Sequence, residues 1–430
     1  MRDWPLMIAL MTVSSKWLLE GILGKPLLEM LGLVAAFGLM FLIHGSIRIK
    51  QAGAVWMIYM FSITVSVLMN GRTFSILGRA IMFFIVIWFA IAMDSEDFDS
   101  ARILHFIVRI GIFHGALVLM HFVLRERFNK LYFPHLTAVS RDYAQAYFNG
   151  GRYFGIITSP HDVAGLVSFA VFGVFFWLIL QKQKSKPLML LTAVLFISLL
   201  LTGKKGVMLC MVVGIFLTMM TMYADAKQWS KIGKILLLLA VCIAVFRYLM
   251  LKYPDHPVFY RLTTYLERIQ KGDSADSGRS ELYKIAVKLW DEHKVFGVGW
   301  RRFKDLSVTR FHQRMAHEVN LDYLQWLCEM GLLGFILNII PVLVMLYRTV
   351  FVCKRFTKTI QDPQVKWQIM FAVCIQFFTF FYAFFEVPFY DLIFFTVYII
   401  SCIIINSMYK RIRTGGLPIK YLLPFRLPSI

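Results

Sequence analysis

Runs of about 18 or more apolar residues recur along this chain of 430 residues, and each is long enough to cross a hydrocarbon core of about 30 Å. Backbone N–H and C=O groups in lipid must be satisfied by the spanning structure itself, which leaves helices or a closed barrel. A barrel needs segments of roughly ten residues with alternating polarity, and no such segments occur. The sequence therefore predicts an all-α, polytopic membrane bundle of about twelve transmembrane helices. The expected spans are 4–23, 26–45, 52–69, 75–93, 102–123, 161–180, 187–202, 206–223, 233–251, 320–347, 367–386 and 389–408. The composition agrees: 59% of residues are hydrophobic and 17% charged, against roughly a quarter charged in soluble domains.

The formal net charge is +21. In a soluble chain that excess suggests nucleic acid; here basic cytoplasmic loops that orient helices account for it, and no nucleic-acid partner is expected. Arg48 and Lys50, Lys182, Lys184 and Lys186, Lys227, Lys231 and Lys234, Arg348, Lys354, Arg355, Lys358 and Lys366, and Lys410, Arg411 and Arg413 fall on one side by alternation. That side is read as cytoplasmic, with the acidic loop Asp94–Asp99 as its exception. The opposite side receives the loop near 124–160, the turn Gly203-Lys204-Lys205-Gly206 and a long island, Leu251–His317. All three are basic where the orientation rule leaves loops neutral, which points to an anion held on the outer face. The domain reading is 1–250 for the first helices, 251–318 for the large outer loop, and 319–430 for the last helices and a cytoplasmic tail.

The island carries most of the candidate chemistry. Arg279 opens an amphipathic helix, Ser280 to Glu292, with Leu282, Ile285, Ala286 and Leu289 on one face. Ser277 or Asp276 is placed to cap it, and an arginine at a helix N-terminus suits phosphate. Gly297-Val298-Gly299 allows a tight turn before Trp300, Arg301, Arg302 and Phe303. His317 stands before the next span, followed by Glu318, Asn320 and Asp322, and a boundary histidine is placed to act as a general base near neutral pH. Glu329 lies inside the span, as either structural glue or site. Lys204 and Lys205 have no acidic neighbour in sequence. Arg152 precedes the Ser159-Pro160-His161-Asp162 entry to a span, where His161 and Asp162 read as an ordinary helix start.

The six cysteines read as small hydrophobes, with no C-x-x-C pair. Asp97-Phe98-Asp99 lies on the wrong side for the island, and no metal site or cofactor is expected. The N-terminus shows no removable signal peptide. The tail Pro418–Ile430 reads as an inner-surface segment.

These residues resemble the bacterial O-antigen ligase and Wzy-type polysaccharide polymerase family. In that family a Gly-Arg pair opens a helix in the large outer loop. A glycine-rich turn ending in phenylalanine follows, and a histidine motif then leads into a helix ending in Glu-x-Gly-x-x-Gly. Gly278-Arg279, Gly297-x-Gly299 with Phe303, and Tyr323-Leu324 with Glu329-x-Gly331-x-x-Gly334 match that order. Thr202-Gly203-Lys204-Lys205-Gly206 looks like the family's Ser-Arg-Gly turn, with Lys205 where arginine is usual. Arg152 to Asp162 looks like an earlier family element. The resemblance covers roughly residues 150–340. The family's histidine position falls on Asn320 or, one helical turn earlier, on His317.

The resemblance implies a GT-C-like, inverting, metal-independent glycosyltransferase in the bacterial cytoplasmic membrane, active on its extracytoplasmic face. Its donor would be a polyprenyl-diphosphate-linked glycan. Arg279 and Lys205 would hold the diphosphate, His317 would deprotonate or orient the acceptor hydroxyl, and Arg152, Lys204, Arg301, Arg302, Glu318 and Asn320 would contact phosphate or glycan. A polymerase building capsule, exopolysaccharide or O-antigen is expected first, a ligase to a lipid or protein acceptor second, and a flippase for the same lipid-linked sugars as the rival of another class. Membrane lipid, and a flippase and chain-length regulator, are the partners the resemblance admits.

Overall fold

A computed structural model describes residues 2–24, 26–45, 49–69, 74–94, 97–181, 185–222, 248, 252, 278–313, 317–356 and 362–414. No strand occurs among them. The helices are α1 (Trp4–Ser14), α2 (Pro26–His44), α3 (Trp56–Met69), α4 (Phe74–Ala92), α5 (Ser100–Leu124), α6 (Glu126–Tyr132), α7 (Ala138–Asn149), α8 (Pro160–Leu180), α9 (Lys186–Leu201), α10 (Lys205–Met222), α11 (Arg279–Glu292), α12 (Phe303–Thr309), α13 (Asp322–Phe356), α14 (Pro363–Tyr382) and α15 (Leu392–Arg413). Eight of them are long and apolar enough to cross a membrane, and α1, α3 and α9 are shorter apolar helices. The expected span 233–251, the capping residues Asp276 and Ser277, and the tail 418–430 lie outside the described residues.

Two expected spans are interrupted. The first ends as an α-helix at Ser14 and continues as a wide turn over Trp17–Ile22. The tenth runs from Asp322 to Phe356 but breaks at Gly331, where φ is +68° and ψ is −172°. Helix α15 is the most enclosed span, with 94% of its apolar window buried, and α14 follows with 83%. These two form the centre of the bundle, and the turn joining them, 383–391, buries Glu386, Val387, Phe389 and Tyr390 while Phe384 and Phe385 are exposed.

At one end Lys50 Nζ lies 3.2 Å from both Asp94 and Asp97, Lys410 lies 4.0 Å from Asp94, and Arg102 pairs with Asp3 at 2.8 Å. The acidic loop that broke the charge pattern is thus the counter-charge of basic residues at its own end.

At the other end the island helix α11 lies against α13. It buries Leu282, Ile285, Ala286 and Leu289 together with Val298, Phe303, Val319 and Cys328. This is the apolar face that the spacing predicted, and each such leucine or isoleucine contributes roughly 1.5–3 kcal/mol. The residue before the helix is Gly278, at φ +82°, with no side-chain cap.

Candidate active site at one end of the bundle

Two motifs far apart in sequence interlock to build the frame of the site. The turn 294–299 enters the break in α13: Val298 and Gly299 donate backbone N–H bonds to the carbonyls of Cys328 and Glu329, at 3.0 and 2.7 Å. Leu332 and Leu333 return bonds to Lys294 and Val295, at 2.8 and 3.2 Å. A Cβ on Gly297 would sit 2.3 Å from the Glu329 carbonyl carbon, and one on Gly331 would sit 2.2 Å from the Val295 oxygen. Both glycines have φ +68°, so each is required by backbone contact and by conformation. The Glu329 carboxylate accepts from the backbone N–H groups of Arg301, at 2.7 Å, and Phe303, at 3.0 Å. Glu329 is therefore a clamp that holds this loop, the structural role among the two its position allowed.

Beside this frame lies a cavity of about 620 Å3. Of the residues named from sequence, Ser159, His161, Asp162, Lys204, Arg301, His317, Glu318 and Asn320 line it, and Arg279 and Arg152 do not. His317 and Asn320 share the cavity because residues 317–321 form an irregular segment ahead of α13, not because they are stacked on one helical turn. Asn320 has φ +59°, a left-handed conformation that asparagine tolerates, and its carbonyl accepts from Tyr283 Oη at 3.5 Å.

Three cations from three segments gather around a carboxylate that the sequence reading did not single out. Glu386 Oε1, in the turn between α14 and α15, accepts from Lys204 Nζ at 3.2 Å and from Arg279 at 3.0 Å. Arg279 also donates to the Phe385 carbonyl, at 2.9 Å. The Arg152 guanidinium packs 5.3 Å from the Tyr147 ring centre, and its stem runs beside Gly203, where a Cβ would meet Arg152 Cγ at 3.3 Å. That contact brings the loop after α7 against the Lys204 turn. Burial opposes ionisation of Glu386, but Lys204, His161 and Arg279 outweigh it and hold its pKa below the ordinary carboxylate range.

Lys205 opens α10, is exposed, and is not among the lining residues. Arg302 is half-buried, precedes α12 and also lies off the cavity.

The second charged group is built on α12 and the 317–320 segment. Lys304 Nζ pairs with Glu318 at 2.9 Å, and Gln325 Nε2 donates to the other Glu318 oxygen. Burial opposes ionisation of Glu318, and Lys304 and Arg301 overcome it, so its pKa also lies below the ordinary value. His317 is exposed toward the cavity. Its local enclosure, then Lys304 and Lys204, lower its pKa against the opposing pull of Glu318. The imidazole is neutral near pH 7, the form that can accept a proton.

One set of described residues has the spacing of metal ligands: His161, Asp162 and Asp391 present donor atoms within 4.8 Å of one another. Each already has a role. Lys16 lies 3.8 Å from Asp162, Asp391 caps α15 through the N–H groups of Ile393 and Phe394, and His161 Nδ1 is 2.7 Å from Tyr382 Oη.

The sequence reading did not reach Glu386, Arg79, Lys304, Tyr390 and Asp391, all of which line the cavity. The rule that drew attention to Glu329, that ionisable groups in or beside a span are expensive and usually purposeful, applies equally to Glu386 at the end of its apolar run. Arg79 and Lys304 carry no local signal.

Fold and site together define an integral membrane protein of helical-bundle class, with an ion-paired, partly aromatic cavity at one end. Residues 190–339 match the family model described as O-antigen ligase, about a third of the chain. Members are glycosyltransferase-like ligases and polymerases that act on lipid-linked glycans, and the match supports a glycan-handling function of that type. No curated protein matches the chain.

Proposed function

We propose that this protein is a polysaccharide polymerase that moves a glycan from a polyprenyl-diphosphate carrier to the end of a growing lipid-linked chain. The site would face outward from the bacterial cytoplasmic membrane. The observation that carries this reading is the convergence of Lys204, Arg279 and Arg152 beside a cavity that also contains His317.

The reaction places negative charge on the leaving diphosphate as the anomeric C–O bond breaks. Preorganised cations in a site of low dielectric stabilise that charge more than water does. In this reading Lys204 and Arg279 take the diphosphate, and Arg152 supports them through the Gly203 turn. His317 accepts the proton of the acceptor hydroxyl as its oxygen attacks the anomeric carbon. Attack opposite the leaving group inverts the anomeric centre. The diphosphate leaves with the bonding electron pair, and the imidazolium later returns its proton to solvent. Lys204 fills the place that the family pattern assigns to Lys205. The two lysines supply positive charge without the bidentate geometry of arginine, so Arg279 would be the group that orients the phosphates.

Purified protein supplied with polyprenyl-diphosphate repeat units tests the reading. Longer glycan on the lipid is the expected product. Transfer only to an added lipid or protein acceptor would make the protein a ligase. Movement of intact lipid-linked units across a vesicle without new glycosidic bonds would make it a flippase.

A further inference from the structure

Phe83, Tyr143, Tyr147 and Tyr390 line the cavity, and they differ in how much ring surface is already used. Phe83 and Tyr390 are 2% and 3% exposed and pack against Trp300, at centroid distances of 5.5 and 6.2 Å. Tyr143 and Tyr147, on α7, are only half-buried. With Val139 they recur every fourth residue, which puts all three on one helix face, the face that lines the cavity. The two tyrosine rings are stacked, 6.5 Å apart at 26°. Phe154 backs Tyr147 edge-on at 6.4 Å, and the Arg152 guanidinium lies 5.3 Å from its centre.

The helix that presents these rings is pinned. Arg141 donates through Nε to the Phe133 carbonyl, at 3.1 Å, and through Nη2 to the Pro134 and Leu136 carbonyls, at 3.2 and 3.1 Å. Ala144, next to Tyr143, is fully buried. The rings are thus fixed before a ligand arrives, which lowers the ordering cost of binding. Half-exposed rings facing a polar space leave apolar surface unburied. The face of an aromatic ring is negative and attracts weakly positive C–H bonds. A pyranose ring presents such C–H bonds on one face and hydroxyls around its rim, and the Ser140 and Thr158 hydroxyls line the same cavity. A diphosphate gains nothing from a negative ring face.

We infer that Tyr143 and Tyr147 form a stacking subsite for pyranose rings of the carrier-linked glycan, recognising the C–H face of the sugar. This rests on the glycan-transfer reading above and deepens it. Arg152 lies against Tyr147 and beside the Gly203 turn, so the ring pair begins next to the cations assigned to the diphosphate.

Equilibrium binding to the full chain in nanodiscs tests this with two probes: bare polyprenyl diphosphate, and the same carrier bearing a repeat unit isolated from the producing cells. The unmodified protein should bind the glycan-bearing carrier more tightly. Tyr143→Ala should weaken that binding about fivefold and leave binding of the bare carrier unchanged. Tyr147→Ala should likewise weaken the glycan-bearing carrier more than the bare one. Tyr143→Phe and Tyr143→Trp, which retain a ring face, should stay within about twofold of the unmodified protein. If Tyr143→Ala does not melt as the unmodified protein does, Tyr143→Leu, which retains bulk without a ring, takes its place with the same expected loss. Unchanged binding of the glycan-bearing carrier in Tyr143→Ala overturns the proposal. A loss shared equally by both probes overturns it too, and assigns the rings to the lipid. A loss in Tyr143→Phe as large as in Tyr143→Ala also overturns it, and assigns the contact to the hydroxyl. If the unmodified protein binds both probes alike, only this inference fails; if it binds neither, the glycan-transfer reading fails with it.

Discussion

Lys204 and Lys205 are adjacent in sequence, but the fold gives them different environments, and this separates two readings of the same turn. Lys204 is about one-fifth exposed and reaches Glu386, whose side chain is 9% exposed. Lys205 is exposed at the start of α10. Replacing Lys204 by alanine removes a charge-assisted hydrogen bond of roughly 1.5–3 kcal/mol. It also removes one cation from the place where leaving-group charge would develop. At about 1.4 kcal/mol per factor of ten, that corresponds to a loss of roughly 10- to 150-fold in kcat/KM. Lys205→Ala should cost at most a fewfold, since an exposed charge is well screened. The assay is glycan transfer from a synthetic polyprenyl-diphosphate donor by purified protein, with detergent-state melting temperature as the control for folding. If Lys205→Ala loses activity as fully as Lys204→Ala while both melt normally, the geometry assigned to this turn is wrong and the family pattern alone names the right lysine.

Other outcomes follow from the frame and the charges. Gly331→Ala places a Cβ 2.2 Å from the Val295 oxygen at φ +68°, so it should destabilise the protein by about 3 kcal/mol or more and lower the melting temperature; an unchanged melt would refute the interlock. Glu329→Ala strands the backbone N–H groups of Arg301 and Phe303 and should cost roughly 1–3 kcal/mol, and Glu329→Gln, which retains one acceptor oxygen, should cost less. Because the pKa of His317 lies below that of an ordinary histidine, its base form persists as pH falls. The acid limb of the activity profile should therefore sit below about pH 6.5 and disappear in His317→Gln; an acid limb retained in that variant would transfer the role to another group. Val139→Cys, on an exposed position of α7, should be labelled from outside intact cells by a membrane-impermeant maleimide, and protection there would reverse the orientation.

How much was legible in the sequence differs between the fold and the site. Spans are legible because apolar length is a local property that the bilayer reads directly. The face of α11 is legible because its spacing of 3 and 4 is local as well. Span ends were less so: the break at Gly331 depends on the backbone of the 294–299 turn, which is contributed from elsewhere in the chain. The motif Glu-x-Gly-x-x-Gly could be recognised, but that its glycine fits against Gly297 could not.

The opening feature, long apolar runs, determined by itself that the chain is a helical membrane bundle, since lipid leaves the backbone no other way to satisfy its hydrogen bonds. Local charge placed Arg152, Lys204, Arg279 and His317 among the candidates. Only the tertiary structure decided how they are used. It brought the α14–α15 turn to the cations, set Glu386 between Lys204 and Arg279, and turned Lys205 outward. Those choices depend on distances between segments 107 and 182 residues apart, and Coulombic partners at a few ångströms carry no periodic or local signature in a single chain.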